Sequence, residues 1–143
     1  MDNNGFVIAP IVVRPVNNHD TTLFPDGIDR LTDFASLIGL DLTGSYFTLD
    51  SGFYSDYNRW LILYHGMIPV IKPNRGPTKD EKKIETMYAN FNEQIYKERF
   101  KIERTFAWQD VYRKIAFSYD RLESVRLGWK LLAYTMINLR VIL

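Results

Sequence analysis

The chain has 143 residues, 46% of them hydrophobic and 15% aromatic, which is enough for one domain with a sizeable core and too apolar for a disordered segment. It has no cysteine and only two histidines, His19 and His65. Disulfides, thiolate zinc sites, a cysteine nucleophile and a histidine-rich metal centre are therefore excluded, and any bound metal must be a hard cation on carboxylates.

The net charge of +1 is unevenly spread: residues 1–70 carry three Lys/Arg against eight Asp/Glu, a net of −5, whereas residues 71–143 carry fifteen against nine, a net of +6. The basic half includes Lys72, Arg75, Lys79, Lys82, Lys83, Lys97, Arg99, Lys101 and Arg104. Such a distribution suits a phosphate backbone, and solvated helix faces produce similar counts. No basic stretch precedes an apolar core at the start of the chain, and no segment approaches the roughly 20 apolar residues of a membrane span. A protein without membrane partners, compatible with a reducing cytoplasm, is the expectation.

Taken in chain order, Phe6 to Val13 is rich in β-branched residues and closes at Arg14-Pro15, the pattern of a buried strand. A polar loop, Asn17 to Thr22, leads to the turn residues Pro25-Asp26-Gly27, after which Ile28, Leu31, Phe34, Ala35, Leu37 and Ile38 form an amphipathic helix ending near Gly39. Ser45 to Leu49 is a second strand, with Asp50 at its C-terminal tip and Gly52 just beyond. Ser55 is the N-cap of a helix running to about His65. Met67 to Ile71 is a short continuous apolar run of the kind buried in parallel sheets, broken by Pro73-Asn74-Arg75-Gly76-Pro77. Thr78 to Asn90 reads as a polar loop or short helix, Glu93 to Ile115 as one long helix, and Leu122 to Leu139 as a final helix. Leu131 to Leu143 is flanked by Lys130 and interrupted by Asn138 and Arg140, so it reads as a buried terminal helix.

This order indicates an α/β domain with a mainly parallel sheet. Ligands of such sheets gather beyond the carboxyl ends of the strands, where Asp50 sits. Because the first strand starts at Phe6, the expectation is one partial domain over residues 1–143, incomplete at its N-terminal strands.

Two carboxylates stand out. On the long helix, Phe100, Glu103, Ala107 and Val111 share one stripe that otherwise reads as core-facing, and Tyr96 and Arg99 lie in the same wedge. Glu103 is open to two readings: an i, i+4 ion pair with Arg99, worth about 0.2–0.5 kcal/mol, or a metal ligand at the edge of a packed site. Asp50 is likewise either ordinary turn chemistry in Asp50-Ser51-Gly52 or a ligand. Together they could hold one or two Mg²⁺ ions, though three carboxylates are the usual minimum. His19-Asp20 reads as a loop pair or a metal-site helper, and Asp2 as a solvated terminal residue. No Gly-rich phosphate loop, nucleophile elbow or zinc-binding helix is present.

The segments LDSGFYSDYNR (Leu49 to Arg59), GMIPVIKPNRGPT (Gly66 to Thr78), YKERFKIERTFAW (Tyr96 to Trp108) and LAYTMINLR (Leu132 to Arg140) resemble the C-terminal half of bacterial insertion-sequence transposases of the DDE type. The most specific part is a Tyr, an Arg three residues later and a Glu four after that, matched by Tyr96, Arg99 and Glu103; a strand-end Asp followed by x-Gly-aromatic is matched by Asp50, Gly52 and Phe53. The resemblance implies a ribonuclease-H-like fold and an Asp, Asp, Glu triad that binds two Mg²⁺ (or Mn²⁺) ions to cut and join DNA. It makes Asp50 the second catalytic aspartate and metal ligand, and Glu103 the catalytic glutamate. Tyr96, Arg99, Lys72, Arg75, Lys97 and Arg104 become the DNA-binding residues, with transposon ends and target DNA as partners and a homo-oligomer as the active form.

No position matches the triad's first aspartate, which in family members lies upstream of the segment that Asn3-Asn4-Gly5-Phe6 resembles. Asp20 matches a recurrent His-Asp of the loop region instead, and Asp110 stands where the family often has a lysine, with Arg113 and Lys114 nearby. The expectation is therefore a C-terminal transposase portion, inactive alone. Either a separately encoded N-terminal part supplies the missing aspartate, or the chain is a catalytically inert remnant that binds DNA or another subunit.

Overall fold

The computed structural model describes residues 1–2, 4–11, 20–112 and 122–142. The chain divides into two compact units, one formed by Pro15–Lys97 and one by Met1–Arg14 with Glu98–Leu143.

The Pro15–Lys97 unit is built on a parallel strand–helix–strand crossover. Strand β1 (Tyr46–Leu49) pairs in parallel with β2 (Ile68–Ile71), in the register Tyr46↔Ile68 to Leu49↔Ile71. The pairing extends beyond both strands, since Ile68 N–H donates to Ser45 O at 2.8 Å and Lys72 N–H to Leu49 O at 3.4 Å. Helix α2 (Asp56–Tyr64) makes the crossover. Its N-cap is Ser55, as the sequence predicts, with the hydroxyl accepting from Asn58 N–H at 3.1 Å. It stops at Gly66 (φ +76°), where Met67 N–H donates to Ile62 O and Gly66 N–H to Leu63 O, a Schellman closure that feeds directly into β2.

Helix α1 (Asp20–Leu37) ends through the same device at Gly39 (φ +71°). Its start departs from expectation, because Pro25 lies inside the helix rather than in a preceding turn. The reason is packing. Phe24, Ile28, Leu31 and Ala35 are all buried along one helical stripe, so the apolar face reaches one turn further back than Ile28 and outweighs one missing backbone donor. Phe24 contacts Phe47 of β1 and Phe53 beyond it, each at 5.9 Å between ring centroids. The core comprises Phe24, Ile28, Leu61, Ile62, Met67 and Ile71.

Two short helices complete this unit. Helix α3 (Glu81–Tyr88) is N-capped by Asp80, which accepts from Lys82 and Lys83 N–H. Helix α4 (Glu93–Lys97) begins after Asn92, whose side chain accepts from Ile95 N–H at 3.0 Å, and it packs on both strands.

In the other unit, α5 (Phe100–Asp110) packs on α6 (Glu123–Ile142). Thr105 on α5 and Ala133 and Ile137 on α6 are buried. The Tyr134 hydroxyl donates to Gln109 Oε1 at 2.6 Å, tying the helices together. Asn138 holds the N-terminal segment by accepting from Val7 N–H at 2.8 Å and donating to Val7 O at 3.2 Å. Asp2 organises that segment rather than being merely solvated, since Oδ1 accepts from Asn4 and Phe6 N–H at 2.9 and 2.8 Å.

Three further expectations are corrected. Residues 6–11 form no strand: Pro10 removes a ladder donor, and the partner for Val7 is a side-chain amide. Val12 to His19 lie outside the described residues. The long helix is interrupted at the turn Glu98-Arg99, between α4 and α5, without Gly or Pro, where i→i+3 bonds run from Lys101 N–H to Glu98 O and from Ile102 N–H to Arg99 O. The terminal helix is amphipathic rather than buried, with Leu131, Leu132, Met136 and Leu139 exposed.

Replacing Phe24 with Ala should destabilise the Pro15–Lys97 unit by about 3–5 kcal/mol in denaturant unfolding, whereas Leu37→Ala, at an exposed position, should stay within about 0.5 kcal/mol. Burial also raises the pKa of Tyr134 above the ordinary phenol value. Its contribution is complete below the unfolded-chain pKa of about 10 and is lost as pH climbs through the raised folded value, because the unfolded chain releases its proton first. Alkaline unfolding should accordingly be steeper in the native chain than in Tyr134→Phe, a substitution that costs about 0.5–1.5 kcal/mol at neutral pH.

Candidate catalytic carboxylates and basic residues

Asp50 directly follows β1 in extended conformation (φ −65°, ψ 161°), and its carbonyl accepts from Phe53 N–H at 3.0 Å to open the single 3₁₀ turn Ser51–Phe53. Its side chain is exposed and does not cap that turn. The cap of this turn is therefore not supplied by the Asp50 carboxylate. Gly52 lacks a left-handed φ, and a Cβ there would meet nothing. Phe53 is explained by the core, through its contact with Phe24.

Asn58 fixes this turn from below, a role the sequence reading did not assign it. It is buried at 4% exposure, and Nδ2 donates to Phe53 O at 2.8 Å. The available signal was its position three residues after the N-cap Ser55, which turns its side chain back over the preceding loop.

Lys72 follows β2 as Asp50 follows β1, so the parallel register sets both at the carboxyl end of the sheet. Lys72 is exposed. Arg75 stacks over the Tyr88 ring at 5.1 Å, and Tyr88, Phe91 and Tyr96 form a chain of rings with centroids 5.7 and 5.2 Å apart. Tyr96 is thus grouped with Arg75, through aromatic contacts, within the Pro15–Lys97 unit. Lys97 pairs with Glu93 at 3.3 Å with both side chains 70% exposed, an arrangement that adds only a few tenths of a kcal/mol.

Glu103 occupies the first turn of α5, where a carboxylate interacts favourably with the helix dipole. The stripe it shares with Phe100, Ala107 and Val111 is exposed, not core-facing. The buried face is set by Thr105, whose hydroxyl bonds Met1 Sδ at 3.0 Å and Lys101 O at 3.2 Å. Arg99 lies in the turn before α5, so Tyr96, Arg99 and Glu103 do not share one continuous helix. Lys101 pairs with Glu98 at 2.7 Å and Arg104 stacks over Trp108 at 5.0 Å.

Asp50 and Glu103 consequently belong to different compact units. Among the described residues, no group of three or more His, Asp or Glu side chains is gathered as a metal site. His19, Arg113 and Lys114 lie outside the described residues.

A family model for the transposase DDE domain matches residues 1–139. The chain belongs to this family. Curated proteins and solved structures yielded no match. The matched span covers Asp50, Glu103, Lys72, Arg75, Lys97, Arg99 and Arg104, and a transposase DDE domain points to DNA transposition with DNA as partner. Transposases of this family generally use a divalent metal, and the carboxylates present are of the right chemistry for a hard cation. Among the described helices, none is long and apolar enough to cross a membrane.

Proposed function

We propose that this chain supplies Asp50 and Glu103 as two carboxylates of a DDE centre that cuts and joins DNA, with the third carboxylate coming from a polypeptide segment outside this sequence. The observation that carries the reading is the transposase DDE-domain match across residues 1–139. Two features of the chain support it: Asp50 ends a parallel strand with a carboxylate its turn does not use for capping, and Glu103 stands exposed on α5 rather than packed in the core. The β1–α2–β2 crossover is taken as part of a ribonuclease-H-like sheet.

Each residue then has a role. Asp50 and Glu103 provide hard oxygen ligands, and Lys72 at the carboxyl end of the sheet offers a cation to the DNA backbone on the Asp50 side. Arg75 and Tyr96, joined through Tyr88 and Phe91, extend that surface; Lys97, Arg99 and Arg104 add positive charge around the α4–α5 sequence. Bound Mg²⁺ or Mn²⁺, two ions in a complete centre, polarises the phosphate and lowers the pKa of the attacking hydroxyl or water.

The competing reading is an inert remnant that only binds DNA. It draws on the lack of a three-acid cluster among the described residues. Co-expression with a polypeptide bearing an aspartate-carrying strand from the adjoining reading frame separates the two. The catalytic reading expects Mg²⁺-dependent strand cleavage that falls at least a hundredfold in Glu103→Gln and in Asp50→Asn, while salt-sensitive DNA binding in Ca²⁺ persists in both variants. Metal-independent, salt-sensitive binding without cleavage by the pair would establish the remnant instead. Cleavage undiminished in Glu103→Gln would remove Glu103 from the centre.

A further inference from the structure

We infer that Asn58 is a positioning residue for Asp50: its buried amide sets the turn that aims the Asp50 carboxylate, an inference that rests on the proposed role of Asp50 as a metal ligand. Asn58 lies with Leu61 and Ile62 on the buried stripe of α2. An apolar residue would satisfy the packing at such a place, and an amide there costs free energy unless it is hydrogen-bonded. The bond that offsets this cost runs from Nδ2 to Phe53 O at 2.8 Å. Helix α2 already has its N-cap in Ser55, so the amide serves the loop before the helix rather than the helix itself.

That loop is the one on which Asp50 stands. Phe53 N–H donates to Asp50 O at 3.0 Å and Tyr54 N–H to Ser51 O at 3.2 Å. These two bonds close a single 3₁₀ turn, whose hydrogen-bond geometry is poorer than that of an α-helix. Strand β1 leads into the turn, the Phe53 ring packs against Phe24 at 5.9 Å, and Asn58 closes the far end. The ring contact is apolar and non-directional, whereas the amide bond is directional and orients the Phe53 peptide. Through the Phe53–Asp50 bond that peptide sets the extended angle (ψ 161°) at which Asp50 leaves β1. A functional side chain must be held to within about 0.5 Å of its productive place. Removing a group that orients a metal ligand from behind typically costs about 10–100-fold in metal affinity. At 4% exposure Asn58 acts through the turn and not as a ligand.

Mn²⁺ titration of the full chain, followed on the amide signals of Ser51 and Gly52, tests this. Asn58→Leu keeps apolar packing on the buried stripe but has no donor, and Asn58→Ala removes donor and volume together. Leu61→Ala is the control, because it opens a cavity on the same face of α2 and leaves the amide in place. Half-broadening of Ser51 and Gly52 should need at least tenfold more Mn²⁺ in both Asn58 variants and the native concentration in Leu61→Ala. Without metal, the Phe53 amide should exchange with solvent faster in both Asn58 variants than in the native chain. Native broadening that a folded Asn58 variant leaves unshifted overturns the inference while keeping Asp50 as a ligand, and so does Phe53 exchange that stays at the native rate. An equal shift in Leu61→Ala overturns it too, by tracing the effect to a general loosening of α2. If Ser51 and Gly52 of the native chain do not broaden at all, Asp50 is no ligand, and the proposed centre falls together with this inference.

Discussion

The parallel pairing of Tyr46–Leu49 with Ile68–Ile71 is the constraint on which the Pro15–Lys97 unit depends. Parallel strands cannot be joined by a tight turn, so the chain must rise over the sheet and return, and α2 is that return. Everything at the carboxyl end of the sheet follows from this register. Leu49 faces Ile71, so the residues just past them, Asp50 and Lys72, emerge together. The glycines at 39 and 66 stop α1 and α2 through the same hydrogen-bonded closure, and Phe24 locks α1 to the strand and to the turn after it. The acid presented by Asp50 is positioned by this apolar core and by the Asn58 bond beneath the turn.

Around Glu103 the physics differs. Helix α5 is held by a polar fastening more than by a deep core: Thr105 to Met1, Gln109 to Tyr134, and Asn138 to the backbone of Val7. Such a helix leaves its remaining faces in solvent, so Glu103 and its apolar stripe-mates share an exposed side. The interruption at Glu98-Arg99 separates a short helix docked on the sheet from one docked on α6, each fixed by its own unit. Tyr96 and Glu103 are seven residues apart in sequence, yet their surroundings are built by different cores.

Local chemistry made much of this legible in the sequence. The N-cap at Ser55, the stops at Gly39 and the helix end near His65, and the apolar run into Ile71 rest on interactions within a few residues, and all appear in the fold. So does the placement of Asp50 at a strand tip. What escaped required knowledge of partners far along the chain. Pro25 sits inside a helix because Phe24 has a core to enter; Phe6 to Ile11 forms no strand because its backbone meets Asn138; the helix break has no Gly or Pro to announce it. The core-facing reading of the Glu103 stripe failed because bulky side chains suggested burial, whereas the buried position on α5 is a threonine fastened by its hydroxyl. The triad assignments rest on the family pattern, since neither carboxylate's surroundings single it out by local rules.

Paramagnetic titration is the most direct test that Asp50 and Glu103 act on one metal. Mn²⁺ broadens the amide resonances of residues close to it, so a shared site should broaden Ser51 and Gly52 together with Ile102 and Arg104 at one Mn²⁺ concentration, and Asp50→Asn should abolish both effects at once. Independent broadening of the two groups, with that beside Glu103 surviving Asp50→Asn, would show that the two carboxylates do not form one centre.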